Sequence, residues 1–412
     1  MPCAYLTPIT GAKLIFLAFL TLLPFQAHSQ TTLYVSPSGS DSNTGSQASP
    51  FRTIGKAAGT VNPGVTVIVE NGIYHEALNL TRGGNANAYV TFMSQNKWGA
   101  VLDGNSNALA EAVQFTASYI KFEGFEVRNY GANSGGGDAF SNYPGGQFID
   151  IAQNYIHDIG RICSSTTNGL VGVFLEAPNV IVEQNLIANI GRYSPGENGC
   201  NPSGNQYQNH DHGVYVDSNS NKVTIRNNVF YRIERGWGVQ VYPSGVDSLA
   251  ILNNTFVWPN PYSTGHIILA ASSPLTNLRI ENNISYSPNT AFINVYMSSG
   301  FSGTVANNIV YNGPVSSATP SGLTFTANLA NTDPKLVNPG SATMDNSTMV
   351  NANLMTGSPA IDAGLTIPDV TNDYAGTARP QGSGYDIGAF ESGSTTSSSR
   401  PLPPTDVKAA AF

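Results

Sequence analysis

The sequence has few charged residues for its length, and this scarcity excludes two classes of protein. Only 11% of the 412 residues are charged, with 18 Lys and Arg against 26 Asp and Glu, whereas an ordinary soluble domain has about 25%. The net charge of −8 and the pI near 5.2 argue against nucleic-acid binding, which needs clustered basic side chains. Hydrophobic residues make up 41% of the chain, so it is not a disordered protein.

Long hydrophobic runs are also scarce. One run, at residues 14–25, follows Lys13 and precedes the small residues Ala27 and Ser29. This arrangement is typical of a secretory signal peptide, so residues 1–29 are expected to be removed. No later run approaches the roughly 18 apolar residues that a membrane-spanning helix needs. We therefore expect a secreted protein, extracellular or periplasmic, without integral membrane association.

The chain has only three cysteines, and Cys3 lies in the expected signal peptide. Cys163 and Cys200 remain. In an oxidising compartment two cysteines most simply form a disulfide, and two free thiols are the alternative.

The sequence contains 43 asparagines and 42 glycines, and both residue types are unfavourable inside helices. This composition excludes a helical bundle. Six apolar, alternating segments each end in asparagine, and the closing asparagines are 31, 43, 26, 29 and 25 residues apart. These segments are residues 151–154, 182–185, 225–228, 251–254, 280–283 and 305–308. Strand-type alternation repeated at this period predicts an all-β fold, a single right-handed parallel β-helix with its asparagines stacked from coil to coil.

The ends of the chain differ from the repeats. Residues 30–89 are expected to form an N-terminal strand and capping region, with a short amphipathic helix at residues 50–58. Residues 90–315 are expected to form the coils. An irregular C-terminal cap is expected at 316–392, and a Ser/Pro-rich tail at 393–412.

Motifs at both ends resemble one superfamily. Residues 33–41 (LYVSPSGSD) and 50–54 (PFRTI) resemble the opening of secreted pectate-lyase-like β-helix proteins, nearest to polysaccharide lyase families nine and six. Residues 358–364 (SPAIDAG) and 385–391 (YDIGAFE) resemble the closing module of the same group. The resemblance implies a β-helix acting on polysaccharide. It does not transfer catalytic residues, because the lysine base among calcium-binding aspartates that characterises family nine is missing here.

Alternation along the second strand of each repeat predicts two outward columns of side chains. The first column is Phe174, Tyr215, Gln240 and Ile268, and the second is Glu176, Asp217, Tyr242 and Ala270. Glu176 and Asp217 are thus predicted to lie one coil apart, at roughly 5 Å. Two carboxylates this close share a proton or bind a cation, and calcium is the cofactor we expect at them. A solvated acidic patch is the alternative.

Two insertions lengthen the repeat before this face, at residues 160–170 and 191–212, and a dense set of titratable residues lies at the end of the longer one. The expected catalytic residues are His210, His212, Tyr215 and Arg235, and the expected substrate-binding residues are Asp211, Trp237, Gln240 and Tyr242. β-Elimination on a uronic acid needs a base, an acid and a partner for the sugar carboxylate, and these residue types supply all three. Zinc bound by the histidines and a purely structural role for them are the alternatives.

The predicted function is cleavage of an acidic, uronate-containing glycan such as pectate or alginate by a secreted, monomeric lyase. Three alternatives stay open. The face could hold a glycoside hydrolase with Glu176 and Asp217 as its acid pair, or a uronate epimerase. It could also be a non-catalytic glycan-binding surface.

Overall fold

The computed structural model describes residues 1–2, 31–131, 137–164, 168–193, 196–200, 209–233, 235–259, 265–296, 300–342 and 350–393. The expected signal peptide and Ser/Pro-rich tail fall almost entirely outside these residues. Three parallel sheets wind around one apolar core, and the chain passes through sheet 1, sheet 3 and sheet 2 in each coil. This arrangement confirms the predicted right-handed parallel β-helix.

The strand bounds follow, with strands numbered along the chain. Sheet 1 contains β1 (Thr32–Val35), β2 (Thr66–Val69), β5 (Val90–Ser94), β8 (Ile120–Glu123), β11 (Ile149–Ala152), β14 (Val180–Glu183), β17 (Thr224–Arg226), β20 (Ala250–Leu252), β23 (Leu275–Glu281), β26 (Phe301–Ala306) and β28 (Leu323–Thr326). Sheet 2 contains β4 (Leu78–Leu80), β7 (Val113–Phe115), β10 (Gly137–Asn142), β13 (Leu170–Leu175), β16 (Val214–Val216), β19 (Val239–Val241), β22 (Ile267–Leu269) and β25 (Ile293–Val295). Sheet 3 contains β3 (Gly72–Tyr74), β6 (Ala100–Asp103), β9 (Glu126–Arg128), β12 (Tyr155–His157), β15 (Leu186–Ile190), β18 (Val229–Ile233), β21 (Thr255–Val257), β24 (Ile284–Tyr286) and β27 (Ile309–Tyr311).

A buried asparagine ladder joins the coils at the turn from sheet 1 to sheet 3. The backbone N–H and Nδ2 of Asn185 both donate to Oδ1 of Asn228, at 2.9 and 3.0 Å, and Nδ2 also donates to the carbonyl of Ile151 at 2.8 Å. The same pattern links Asn154, Asn185, Asn228, Asn254, Asn283, Asn308 and Asn328. The six predicted asparagines are fully buried and stack in one column, as expected.

The residue before each ladder asparagine is left-handed, with φ between 50° and 58° at Gln153, Gln184, Asn227, Asn253, Asn282 and Asn307. Asparagine tolerates this conformation better than most residues do. Five of these side chains donate to backbone carbonyls of the C-terminal module: Gln184 to Asp373, Asn227 to Asn372, Asn253 to Asp386, Asn282 to Leu365 and Asn307 to Ala363. In the repeated Asn-Asn pairs, therefore, the second residue builds the ladder and the first binds this module.

The C-terminal module is irregular, as predicted, and it lies along sheet 3. Among the described residues of the predicted cap, 316–392, the regular elements are β28, which still belongs to sheet 1, and the antiparallel pair β29 (Leu336–Asn338) and β30 (Asn351–Leu354). Leu336, Ala360 and Ile387 pack in one apolar cluster with side chains of sheet 3. A buried ion pair, with Nη1 of Arg379 at 2.6 Å from Oε1 of Glu391, stabilises its fold.

At the N-terminus the coils begin earlier than the sequence predicts. Strands β1 to β4 already belong to the three sheets, so residues 30–89 form coils as well as a cap. The predicted helix is α1 (Ile54–Ala58), whose N-cap Thr53 accepts a hydrogen bond from the N–H of Lys56 at 3.1 Å. No helix in the part of the chain that the structure describes is long and apolar enough to cross a membrane.

We expect Asn228→Ala to destabilise the protein by about 3 kcal/mol or more, because it removes the partner of the buried N–H of Asn185 and of the carbonyl of Val182, and also a bond to the side chain of Asn254. Urea unfolding followed by circular dichroism measures this loss. Asn87→Ala is the matched control, since Asn87 is exposed and should change stability by no more than about 0.5 kcal/mol. Equal stability of the two variants would contradict the role of the ladder.

Candidate functional site

A cleft of about 440 Å³ lies on the outer surface of sheet 2. Its lining comprises Glu111, Gly137, Asp138, Tyr143, Asn168, Gly169, Val171, Phe174, His210, His212, Tyr215, Gln240 and Tyr242. Five of the residues predicted from the sequence are among these: His210, His212, Tyr215, Gln240 and Tyr242. The cleft therefore lies where the insertions meet the first outward column.

Glycines on successive coils explain why the cleft forms here. A Cβ on Gly213 would approach the ring of Phe230 at 3.0 Å, and one on Gly238 would approach Phe256 at 2.8 Å. Both positions therefore face the core. The valine that follows each glycine, Val214 in the first case, also faces the core. The residue before the glycine, His212, and the residue after the valine, Tyr215, therefore both point away from the core. This double inward step brings His212 and Tyr215 together, with their ring centroids 5.5 Å apart.

His212 is a neutral hydrogen-bond donor in this site. It is 1% exposed, and burial, with a smaller effect of nearby His210, lowers its pKa to about 3. Its Nδ1 accepts the backbone N–H of Trp237 at 3.1 Å. In a neutral imidazole the other nitrogen, Nε2, then carries the proton. His212 is thus suited to donate to an anion and unsuited to act as the base.

Two tyrosines keep their phenolic protons in the cleft. Burial and the nearby Asp217 raise the pKa of Tyr215 well above its usual value, and burial with Glu111 raises that of Tyr143 to about 12. Phe174 stacks against Tyr215 with 5.5 Å between ring centroids. Tyr242 is 46% exposed and offers a flat surface to a sugar ring. His210, at the rim, is exposed.

The opposite end of the cleft holds two carboxyl groups that the sequence analysis did not select. The hydroxyl of Ser141 lies 3.0 Å from Oδ2 of Asp138 and 3.3 Å from Oε2 of Glu111. The hydroxyl of Tyr143 donates to Oε1 of Glu111 at 3.2 Å. Burial first, and then Glu111, raises the pKa of Asp138 to about 8, so Asp138 holds its proton at neutral pH.

Strand alternation is the signal that could have identified these residues. Ser141 pairs in register with Phe174, which places it in the first outward column. The segment 137–142 (GDAFSN) has fewer aliphatic residues than the other second strands, such as VYV and VQV, so its alternation is harder to recognise in the sequence. Asp138 lies three residues before Ser141, and His212 lies three residues before Tyr215. Asp138 and His212 therefore occupy equivalent positions on their coils.

Asp211 is fully buried and does not reach the cleft, which corrects the expectation that it binds substrate. Nη2 of Arg192, also fully buried, lies 2.7 Å from Oδ1 of Asp211, and Nε lies 2.8 Å from Oδ2. The N–H of Leu170 donates to Oδ1 at 3.2 Å. Asp211 therefore joins the ends of the two insertions and fixes the loop on which both histidines stand.

Arg235 and Trp237 are also buried, at 1% and 3% exposure, and neither lines the cleft. Nη1 of Arg235 donates to the carbonyl of Tyr193, and Trp237 packs with Ile268 and Ala270. The expectation that they meet the substrate is corrected accordingly. Both residues directly precede β19, and a position just before a strand that faces the cleft does not decide whether a side chain is exposed.

Glu176 and Asp217 follow strands that are paired in register, Leu175 with Val216, so they lie on adjacent coils as predicted. Both are partly exposed and lie outside the cleft lining. Among the residues that the structure describes, no group of three or more His, Cys, Asp or Glu side chains is arranged to hold a metal. The two carboxylates therefore offer an incomplete calcium site, and calcium binding there stays a prediction.

Cys163 and Cys200 form the predicted disulfide, with their Cα atoms 5.4 Å apart. The bond joins the two insertions. Beside it, Arg161 forms an ion pair with Glu197 and lies over the ring of Tyr193. A disulfide bond and an ion pair thus hold the two insertions together at the cleft wall.

Known proteins share this architecture. Residues 33–205 match the family model described as a Pel9A-like, right-handed β-helix region. The match covers less than half of the chain, and what the chain shares with these proteins is the right-handed parallel β-helix fold. The crystal structure of pectate lyase Pel9A superposes with a TM-score of 0.52 at 17% identity, covering 88% of this chain and 96% of that chain.

Two further similarities are weaker. A rhamnogalacturonan lyase structure gives a TM-score of 0.47 at 14% identity, over 84% of this chain and 99% of that chain. The uncharacterized protein YwoF of Bacillus subtilis (strain 168) is 32% identical over 134 residues, which is 31% of this chain. That match spans only 29% of the length of YwoF.

We expect removal of the disulfide by Cys163→Ser with Cys200→Ser to loosen the cleft wall more than the solenoid, whose core lies elsewhere. Its contribution of about 2–4 kcal/mol should fall mostly on the insertions. Limited proteolysis should cut the variant between residues 160 and 212 while the main thermal transition moves by a few degrees. Recovery of both cysteines as free thiols from secreted wild-type protein would contradict the bond.

Burial of His212 predicts a loss of stability in acid. Its folded pKa is lowered to about 3, so below about pH 6.5 the unfolded chain binds a proton that the folded chain does not. This contribution to stability is complete above pH 6.5 and declines by up to about 1.4 kcal/mol per pH unit toward pH 3. Urea unfolding at pH 7, 6 and 5 should show a flatter pH dependence for His212→Gln. The exposed His75→Gln serves as control, and identical profiles for wild type and His212→Gln would refute the assignment.

Proposed function

We propose that the protein is a secreted polysaccharide lyase that cleaves an acidic, uronate-containing glycan by β-elimination in the cleft of sheet 2. The observation that supports this most is the pairing of His212, an uncharged N–H donor, with Tyr215, a phenol that retains its proton, on one wall of an aromatic-lined cleft. β-Elimination needs a donor for the sugar carboxylate, a base and an acid. The disulfide fits an oxidising, extracellular environment.

The reaction assigns one role to each side chain. Nε2–H of His212 and the amide of Gln240 bind the uronate carboxylate, which makes the C5 proton more acidic. His210, exposed at the rim, takes that proton. The electron pair forms the C4–C5 double bond, the C4–O bond breaks, and Tyr215 donates its phenolic proton to the departing oxygen. Tyr242 supports a neighbouring sugar ring.

We expect Tyr215→Phe and His210→Ala each to lower turnover by about 10²-fold or more, as removal of an acid or a base does, with unfolding midpoints close to that of wild type. His212→Ala should lower kcat/KM because the carboxylate loses a donor. The assay is the rise in ultraviolet absorbance from unsaturated uronate, measured over a panel of uronate polymers. Tyr89→Phe is a matched control on a surface tyrosine away from the cleft.

Wild-type activity in both Tyr215→Phe and His212→Ala would show that this wall of the cleft does not perform the reaction. Failure of the wild-type protein to release unsaturated uronate from any polymer would refute the lyase proposal itself.

A specific observation favours hydrolysis as the second candidate. Asp138 and Glu111 share the Ser141 hydroxyl, and Asp138 is protonated while the tyrosine and serine hydroxyls donate to Glu111. The two oxygens bridged by Ser141 lie closer together than the roughly 6.5 Å at which inverting carboxyl pairs begin, so the spacing suits retention of configuration. Saturated products whose release is abolished in Asp138→Asn would favour this candidate over elimination.

A further inference from the structure

The Glu111 end of the cleft carries a carboxylate, whereas a polymer made only of uronates would place a negatively charged sugar beside it. Oxygens of Glu111 accept from the hydroxyls of Tyr143 and Ser141 and from the amide of Gln114. These neutral donors orient the Glu111 carboxylate without cancelling its charge. Asp138, 9% exposed, lies against the same serine.

Positive charge is scarce around this cleft. Among its described lining residues there is no lysine or arginine. The sequence segments 132–136, 165–167 and 201–208, which adjoin the lining residues along the chain, also contain neither. Arg192 is already paired with Asp211, and Arg235 is buried behind the wall. A sugar carboxylate placed beside Glu111 would therefore meet a like charge, and no cation among the described lining residues offsets it, in a partly desolvated groove where repulsion is strong.

We propose that the Glu111–Asp138 end of the cleft is a subsite for an uncharged sugar, so that the substrate is a heteropolysaccharide in which neutral sugars flank the uronate that is cleaved. This inference rests on the proposed lyase function. A sugar hydroxyl both donates and accepts, and the subsite offers a partner for each: the Glu111 carboxylate accepts, and the protonated carboxyl of Asp138 donates.

The spacing along the solenoid separates the two ends of the cleft. Asp138 pairs in register with Val171 on the next coil, and His212 lies one coil farther along. Two coils correspond to roughly 10 Å. Glu111 and Asp138 are therefore too far from His212 and Tyr215 to act on the same sugar atoms, and they select a different sugar of the same chain. Discrimination by an unfavourable charge is a general route to specificity.

The test compares two substrate classes in wild type and in Glu111→Gln, which removes the charge while keeping the shape. The homopolymers are polygalacturonate and alginate. The alternating polymers, uronate with neutral sugar, are a rhamnogalacturonan backbone and hyaluronan. We expect wild type to prefer an alternating polymer, and Glu111→Gln to raise the ratio of kcat/KM for homopolymer over alternating polymer by about tenfold. The difference should shrink with added salt, since salt screens the repulsion.

Glu70→Gln is the matched control, because Glu70 lies just after β2 in sheet 1, outside the cleft lining, and the same substitution there should leave the ratio unchanged. Asp138→Ala is the second variant in case Glu111→Gln fails to fold; it should weaken binding of the alternating polymer, because a methyl group cannot replace the O–H donor of the protonated acid. Binding of the polymers to Tyr215→Phe, measured by affinity electrophoresis, gives a readout that does not depend on turnover.

The outcomes separate the subsite from the proposed reaction. A wild-type preference for homopolymer, or an unchanged ratio in Glu111→Gln, overturns the subsite even if the protein is a lyase. No unsaturated product from any polymer, with preferential binding of the alternating class, overturns the lyase reaction and supports the subsite. Saturated products with loss of all cleavage in Glu111→Gln would assign the pair to hydrolysis and overturn the inference, and no binding of either class would overturn both proposals.

Discussion

The coils from Asn154 to Asn308 each depend on one buried asparagine whose amide bonds to neighbouring coils. Asn228 accepts from two nitrogens of Asn185 and donates to Asn254 and to the carbonyl of Val182. A turn buried in a solenoid leaves backbone groups without water, and an amide is among the few side chains that can both donate to them and accept from them. The ladder thereby fixes the register of the coils, and every column of side chains that the cleft uses follows from that register.

The same turn also positions the rest of the chain. Because the residue before each ladder asparagine is left-handed, its side chain leaves the core and reaches the C-terminal module. One dipeptide, Asn-Asn, therefore closes the coil on its inner side and binds a covering segment on its outer side. That segment occupies sheet 3. None of the described residues of that segment lines the cleft on sheet 2.

Much of the fold follows from sequence because it is periodic. The spacing of Asn154 to Asn308 predicts stacking, and alternation predicts the column of Phe174, Tyr215 and Gln240 that the register confirms. The site follows only in part, because the sequence does not tell whether a polar side chain is buried or exposed. Asp211 lies between His210 and His212 in the dense segment, yet its buried pairing with Arg192 joins residues 19 positions apart. Arg235, just before β19, is buried as well. Asp138 and Glu111 escaped notice because both precede residue 151, where the first of the Asn-terminated segments begins.

The backbone around the cleft determines why His212 carries no charge there. Holding an imidazole neutral needs burial, and burial here comes from the glycine positions that let His212 approach the backbone of the next coil. A Cβ at Gly236 would lie 2.5 Å from Nδ1 of His212, so only glycine leaves room for the bond from the N–H of Trp237. That bond selects the tautomer, and the tautomer turns His212 from a base into a donor. The chemical role of the residue is therefore set by a glycine on the neighbouring coil, and a search for catalytic residue types alone would have assigned His212 the opposite role.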